Sequence, residues 1–140
     1  MVNLKQTFAA LILVCAALAG QSALADELWD SATGRIVYET DVEGDAIFSF
    51  TSYNGAKAIL VVQGFTALLD DRSTSQGYWI GEDGVDCGAT LSHTGGYSGT
   101  KWGKAVVVWD EKTFPSGFEM TTGDCFGPPE VTLVAEPYMN

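Results

Sequence analysis

Histidine is almost absent from this chain of 140 residues: His93 is the only one. Any Ser-His-Asp or Cys-His machinery must therefore use it. Its neighbour Ser92 would point to the opposite face of a strand, and the flanking sequence has no nucleophile elbow. The expected placement is a surface histidine at the start of a loop. Basic residues are scarce too, seven Lys and Arg against eighteen Asp and Glu. Phosphate binding needs clustered Lys and Arg, so nucleic acid and anionic lipid are excluded as partners. No close CxxC pair is present, which removes the usual redox and zinc spacings. After residue 25 no segment is apolar and long enough to cross a bilayer, and no window carries a helical period with caps.

What stands at the start is a secretory signal. Lys5 supplies the positive region, Phe8 to Ala19 is an apolar run too short to span comfortably, and Ala23-Leu24-Ala25 supplies the small-x-small cleavage pattern. Residues 1–25 are read as the signal peptide and residues 26–140 as a single domain, large enough for one core. Cys15 leaves with the signal. The style of the signal points to a bacterial periplasmic or secreted protein.

With Lys5 removed, six basic residues face eighteen acidic ones, a net charge of −12. A charge this steep would speed encounter with a cationic partner. Cys87 and Cys125 remain, and in an oxidising compartment an isolated pair is read first as a disulfide. A loop of this length contributes roughly 4 kcal/mol in the chain-entropy model.

The rest is short strands and turns. Residues 35–40, 46–53, 57–63, 65–69, 78–81, 85–91, 104–110, 118–122 and 130–136 carry β-type patterns separated by turn signals. The 57–63 run is apolar almost throughout, and Asn54-Gly55 before it is a strong hairpin signal. The expected fold is all-β: a single small antiparallel barrel or sandwich of eight to nine strands with one disulfide.

Several candidate sites compete within that frame. Eighteen acids allow many carboxylate pairs for glycoside hydrolysis, but none is singled out. Asp41, Glu43 and Asp45 around Gly44 are candidate calcium ligands, since hard oxygens in glycine turns suit that ion; Glu82, Asp83 and Asp86 around Gly84 form a similar set. Trp79 and Trp109 lie in strand patterns and read as core. Trp102 sits at the edge of a polar glycine-rich stretch, Ser92 to Gly103, beside Lys101 and Lys104. Read as a loop, that stretch is long enough to suggest function. Its glycines permit close approach to another surface, and Tyr97 offers an anchor with a polar tip.

Within this stretch, Thr94-Gly95-Gly96-Tyr97 resembles the Ser-Gly-x-Tyr loop of bacterial periplasmic lysozyme inhibitors, with threonine in place of serine. The resemblance is confined to about a dozen residues. It implies a small exported β-rich protein, without cofactor, whose loop enters the cleft of a cationic lysozyme. Thr94, Gly95, Gly96 and Tyr97 would make the contact, with Lys101 or Lys104 near the enzyme's carboxylates and Trp102 beside them. The alternatives are a barrel binding a small molecule or glycan, marked by Trp79, Trp102 and Trp109 converging on one cavity, a structural component of the cell envelope, and an unrecognised enzyme.

Overall fold

The computed structural model describes residues 27–113 and 115–139, so the expected signal peptide and its expected cleavage position lie outside the described residues. The fold is an antiparallel barrel with one extra strand. Its strands are β1 (Leu28–Ser31), β2 (Gly34–Val42), β3 (Asp45–Thr51), β4 (Lys57–Val62), β5 (Ser75–Gly81), β6 (Asp86–His93), β7 (Tyr97–Trp109), β8 (Phe118–Thr122) and β9 (Val131–Pro137). Eight of them close a ring in the order β1-β2-β3-β4-β5-β7-β8-β9. The β1–β9 pair and the β5–β7 pair close it on either side. Closure leaves no edge in the ring itself. The ninth strand, β6, pairs only with the first half of β7, outside the ring.

Period-two alternation explains what lies inside. Ala46, Phe48 and Phe50 of β3 join the central core, as do Ala105, Val107 and Trp109 of β7 and Phe118 and Met120 of β8. Ile47, between two of the inward residues, points outward and is nevertheless fully buried, as is Val61 on the neighbouring strand. The cover is the β6–β7 hairpin, which curls back over the outer wall. Gly99 faces the Ile80 side chain, and the Tyr78 and His93 rings lie 6.4 Å apart.

Turn chemistry sets the register. Glu43 and Gly44 both have positive φ between paired Val42 and Asp45, the two-residue turn that matches strand twist. At Asn54-Gly55 only the glycine takes positive φ. Ser52 and Ala56 close a three-residue loop there, a turn followed by a left-handed residue.

Four expectations need correction. Residues 65–69 are not a strand: Phe65–Leu68 form a 3-10 helix, because Gly64 turns left-handed and its carbonyl accepts from the Ala67 N–H. Residues 28–31, ahead of the first expected strand, form a strand, and β5 starts at Ser75 rather than at residue 78. The Ser92–Gly103 stretch is not a long loop. It is a tight hairpin, with only residues 94–96 in the turn and Gly96 at φ 88°. Gly99 and Gly103 serve close strand packing instead.

Candidate functional site

The two ends of the barrel are built differently. One end, bounded by the β2–β3 turn, the 63–74 connection and the β7–β8 turn, is filled with aromatic rings. Trp29, Phe48, Phe65, Trp109 and Phe118 contact one another with centroids 4.7–6.4 Å apart. Trp29 donates its Nε1–H to the Ser116 carbonyl at 2.7 Å. Arg72 lies over the Trp109 ring and pairs with Glu27 at 2.7 Å, both side chains almost wholly buried. Neutralising each charge inside the seal removes the cost of an isolated buried ion.

The other end holds a cavity of about 530 Å³, within the range of small-molecule sites. Its apolar wall includes Phe50, Trp79, Met120 and Leu133; Tyr53, Asp83 and Asp124 stand at its margin. On two strands the inward side chains shrink toward this end. Along β7 they run Trp109, Val107, Ala105, Gly103, and along β8 Phe118, Met120, Thr122. The glycine at 103 is required, since a Cβ there would fall on the Gly123 carbonyl and against Trp79 Nε1. Trp79 uses that closeness: its Nε1–H donates to Gly123 O at 2.7 Å. Tyr53 spans the rim, donating its hydroxyl to Thr132 O on β9 at 2.7 Å. Tyr53, Val85 and Val131 around the opening are each half or more exposed.

The residues expected to form a contact loop lie elsewhere: Thr94 to Tyr97 share the hairpin tip, but Lys101, Trp102 and Lys104 do not join them there. Thr94, Gly95 and Gly96 are exposed at the hairpin tip, but the tip is tied to the barrel. Thr94 Oγ1 donates to Glu43 at 3.0 Å, and Gly95 sits against Val42. Tyr97 is partly buried and lines a groove on the outer wall with Arg35, Lys57 and Ile80. Lys101 is four strand positions away, roughly 13 Å at the usual rise, and its ammonium donates to the Glu82 carbonyl. Trp102 is buried rather than offered to solvent. Its Nε1–H donates to Ala89 O at 2.8 Å and its ring meets Phe126 edge-on. Lys104 is exposed on β7 opposite Tyr78.

His93 is not a surface residue either. Its side chain is 6% exposed, with Nε2 3.0 Å from Asp45. The Gly95 N–H donates to Nδ1 at 3.1 Å, which places the proton on Nε2 and commits both nitrogens. Beside it, burial raises the Tyr78 phenol above its ordinary value, and the Asp45 charge adds to the effect. The calcium candidates do not converge. Asp45 is taken by His93 and the Gly64 N–H, Glu43 by Thr94, and no three potential ligands cluster among the described residues. Cys87 and Cys125 form the expected disulfide, joining the start of β6 to the segment after β8.

Of the three tryptophans expected to mark a ligand cavity by converging, only Trp79 lines it; Trp109 belongs to the sealed core and Trp102 to the outer wall. Phe50, Met120, Leu133, Asp83 and Asp124 carry no local signature that marks them as a site. The one trace in the sequence is the decreasing side-chain size along β7. Comparison with protein-family models, with curated proteins and with solved structures finds no match to this chain.

Proposed function

We propose that this is an exported, non-enzymatic binding protein that holds a small, largely apolar molecule in the open end of its barrel. The observation that carries the reading is the asymmetry of the ends. One is sealed by five interlocking aromatic rings, and the other keeps a cavity of about 530 Å³ within the same strands. The cavity opens to solvent over an apolar floor of Phe50, Trp79, Met120 and Leu133, and an apolar molecule seated there would take that floor out of contact with water. Catalysis has less support. The residues around the cavity include no histidine, cysteine or lysine, and Asp83 and Asp124 are both exposed, whereas acid–base pairs rely on holding one carboxyl in an apolar setting. The disulfide supports export, since such bonds persist in oxidising compartments.

The test is binding of a neutral naphthylamine dye, read by dye emission and by tryptophan quenching. Saturable binding that is lost when Thr122→Trp fills the cavity is the expected result. Binding unaffected by that substitution in a folded protein overturns the reading.

A second reading, contact with a cationic protein such as a lysozyme through the hairpin tip, is supported by the exposure of Thr94, Gly95 and Gly96 and by the acidic body. The tether of the tip to Glu43 and Asp45 makes it the less favoured of the two. Inhibition of a lysozyme that disappears in Tyr97→Ala would establish it, and no binding at low salt would end it.

A further inference from the structure

We propose that the ligand of the open end is an organic cation, an apolar or aromatic body carrying an ammonium group. This rests on the cavity being the ligand site.

The charge around the cavity has one sign. Asp83 and Asp124 stand there, and none of the lining residues is Lys, Arg or His. An anionic amphiphile would find no partner for its charge, while a cation would find two carboxylates. Each is the chain neighbour of a glycine that touches the indole of Trp79. Gly84 lies against the Cη2 corner of the ring, and Gly123 accepts from its Nε1. Asp83 and Asp124 adjoin those two glycines in the chain, and both stand at the margin of the pocket that the ring lines. Because Nε1–H is committed to Gly123, the indole presents only hydrocarbon and π electrons to the cavity. Phe50 presents the same. Aromatic faces backed by carboxylates are the chemistry that recognises ammonium groups. The field of a protein with net charge −11 over the full chain adds a long-range term of the same sign.

Three ligands sharing one phenylbutyl body separate the possibilities: 4-phenylbutyltrimethylammonium, 4-phenylbutanol and 4-phenylbutanoate, each titrated by tryptophan fluorescence. The ammonium compound should bind about tenfold more tightly than the alcohol, a margin typical of cation–π and ion-pair contacts, and the carboxylate least. Replacing both Asp83→Asn and Asp124→Asn should remove most of that margin and leave the alcohol's affinity unchanged. Asn keeps the acceptor that Asp83 offers the Gly84 N–H, so the turn is preserved. A control of equal net charge, Asp70→Asn with Glu119→Gln, should change the ammonium affinity by less than twofold. If the alcohol matches the ammonium compound, or the control pair weakens binding as much as the rim pair, the cation proposal is overturned and the cavity reading stands. If none of the three binds, both are overturned.

Discussion

The sealed and open ends of this barrel are made from the same strands and differ in what their inward positions carry. At the sealed end β1, β3, β7 and β8 contribute Trp29, Phe48, Trp109 and Phe118, all at most 7% exposed. At the open end the continuing rows on β7 and β8 arrive at Gly103 and Thr122. On the proposed reading, the difference separates stability from function within one fold. Rings that interlock on every side resist change, because interiors are close-packed and relax only partly around a loss. A wall that already faces a void has fewer partners to lose, so it tolerates substitution and is free to suit a ligand.

Substitutions at the two ends test that separation. Trp29→Ala should have the largest effect, a loss of about 4 kcal/mol of unfolding free energy by urea titration. It empties the centre of the ring cluster and strands the Ser116 carbonyl. Met120→Ala, one position past Phe118 on the same inward row of β8, should cost about 2 kcal/mol, the low end for such a change, because part of its surroundings is already cavity. Equal losses at the two sites would mean that the open end is as tightly packed as the sealed one.

The disulfide sharpens the same contrast from outside. Cys87 and Cys125 are 38 residues apart, and replacing both with alanine should cost about 4 kcal/mol or somewhat less in the chain-entropy model. The bond anchors the base of the β6–β7 hairpin beside the open end. Hydrogen exchange should therefore quicken first in β6 and the 123–130 segment, with the Trp29 neighbourhood protected longest. Uniform acceleration would show that the barrel unfolds as one unit.

How much of this was legible in the sequence follows from how local each feature is. The all-β class and most strand positions rest on alternation and turn residues within ten positions, and the disulfide on a single cysteine pair remaining after the signal, so all three were readable. Phe65 to Leu68 was not, since an apolar run of that length fits a strand or a helical turn equally, and the left-handed Gly64 decides it. The 92–103 stretch misled for a related reason. Glycine usually marks loops, but here Gly99 makes room for Ile80 and Gly103 for the Gly123 carbonyl, both contacts made by distant parts of the chain. Trp102 and His93 seemed exposed for the same cause, because the hairpin that buries them folds back on an outer wall that alternation alone assigns to solvent. The cavity is the least local feature of all. It depends on which inward residues of β3, β5, β8 and β9 share a level, and that is set by register around a closed ring.

The smallest stability effect should come from Tyr53→Phe, and it bears most directly on what the open end does. Tyr53 leaves the β3–β4 turn and donates to Thr132 on β9, although β2 and β1 lie between those strands in the ring. Its side chain is 58% exposed, so the hydrogen bond is wet and its loss should lower stability by no more than about 0.5 kcal/mol. The contact nonetheless bridges part of the opening, where it would hinder the exit of the proposed ligand. Removing the hydroxyl should raise the dissociation rate of the neutral naphthylamine dye by about threefold, which is what releasing a contact of roughly 0.6 kcal/mol in the bound state yields, while the association rate changes less. Stopped-flow displacement reads both rates on the same sample. A dissociation rate equal to wild type would show that the ligand leaves by a path Tyr53 does not cover, and would move the search for the gate to Val85, another exposed residue of the opening.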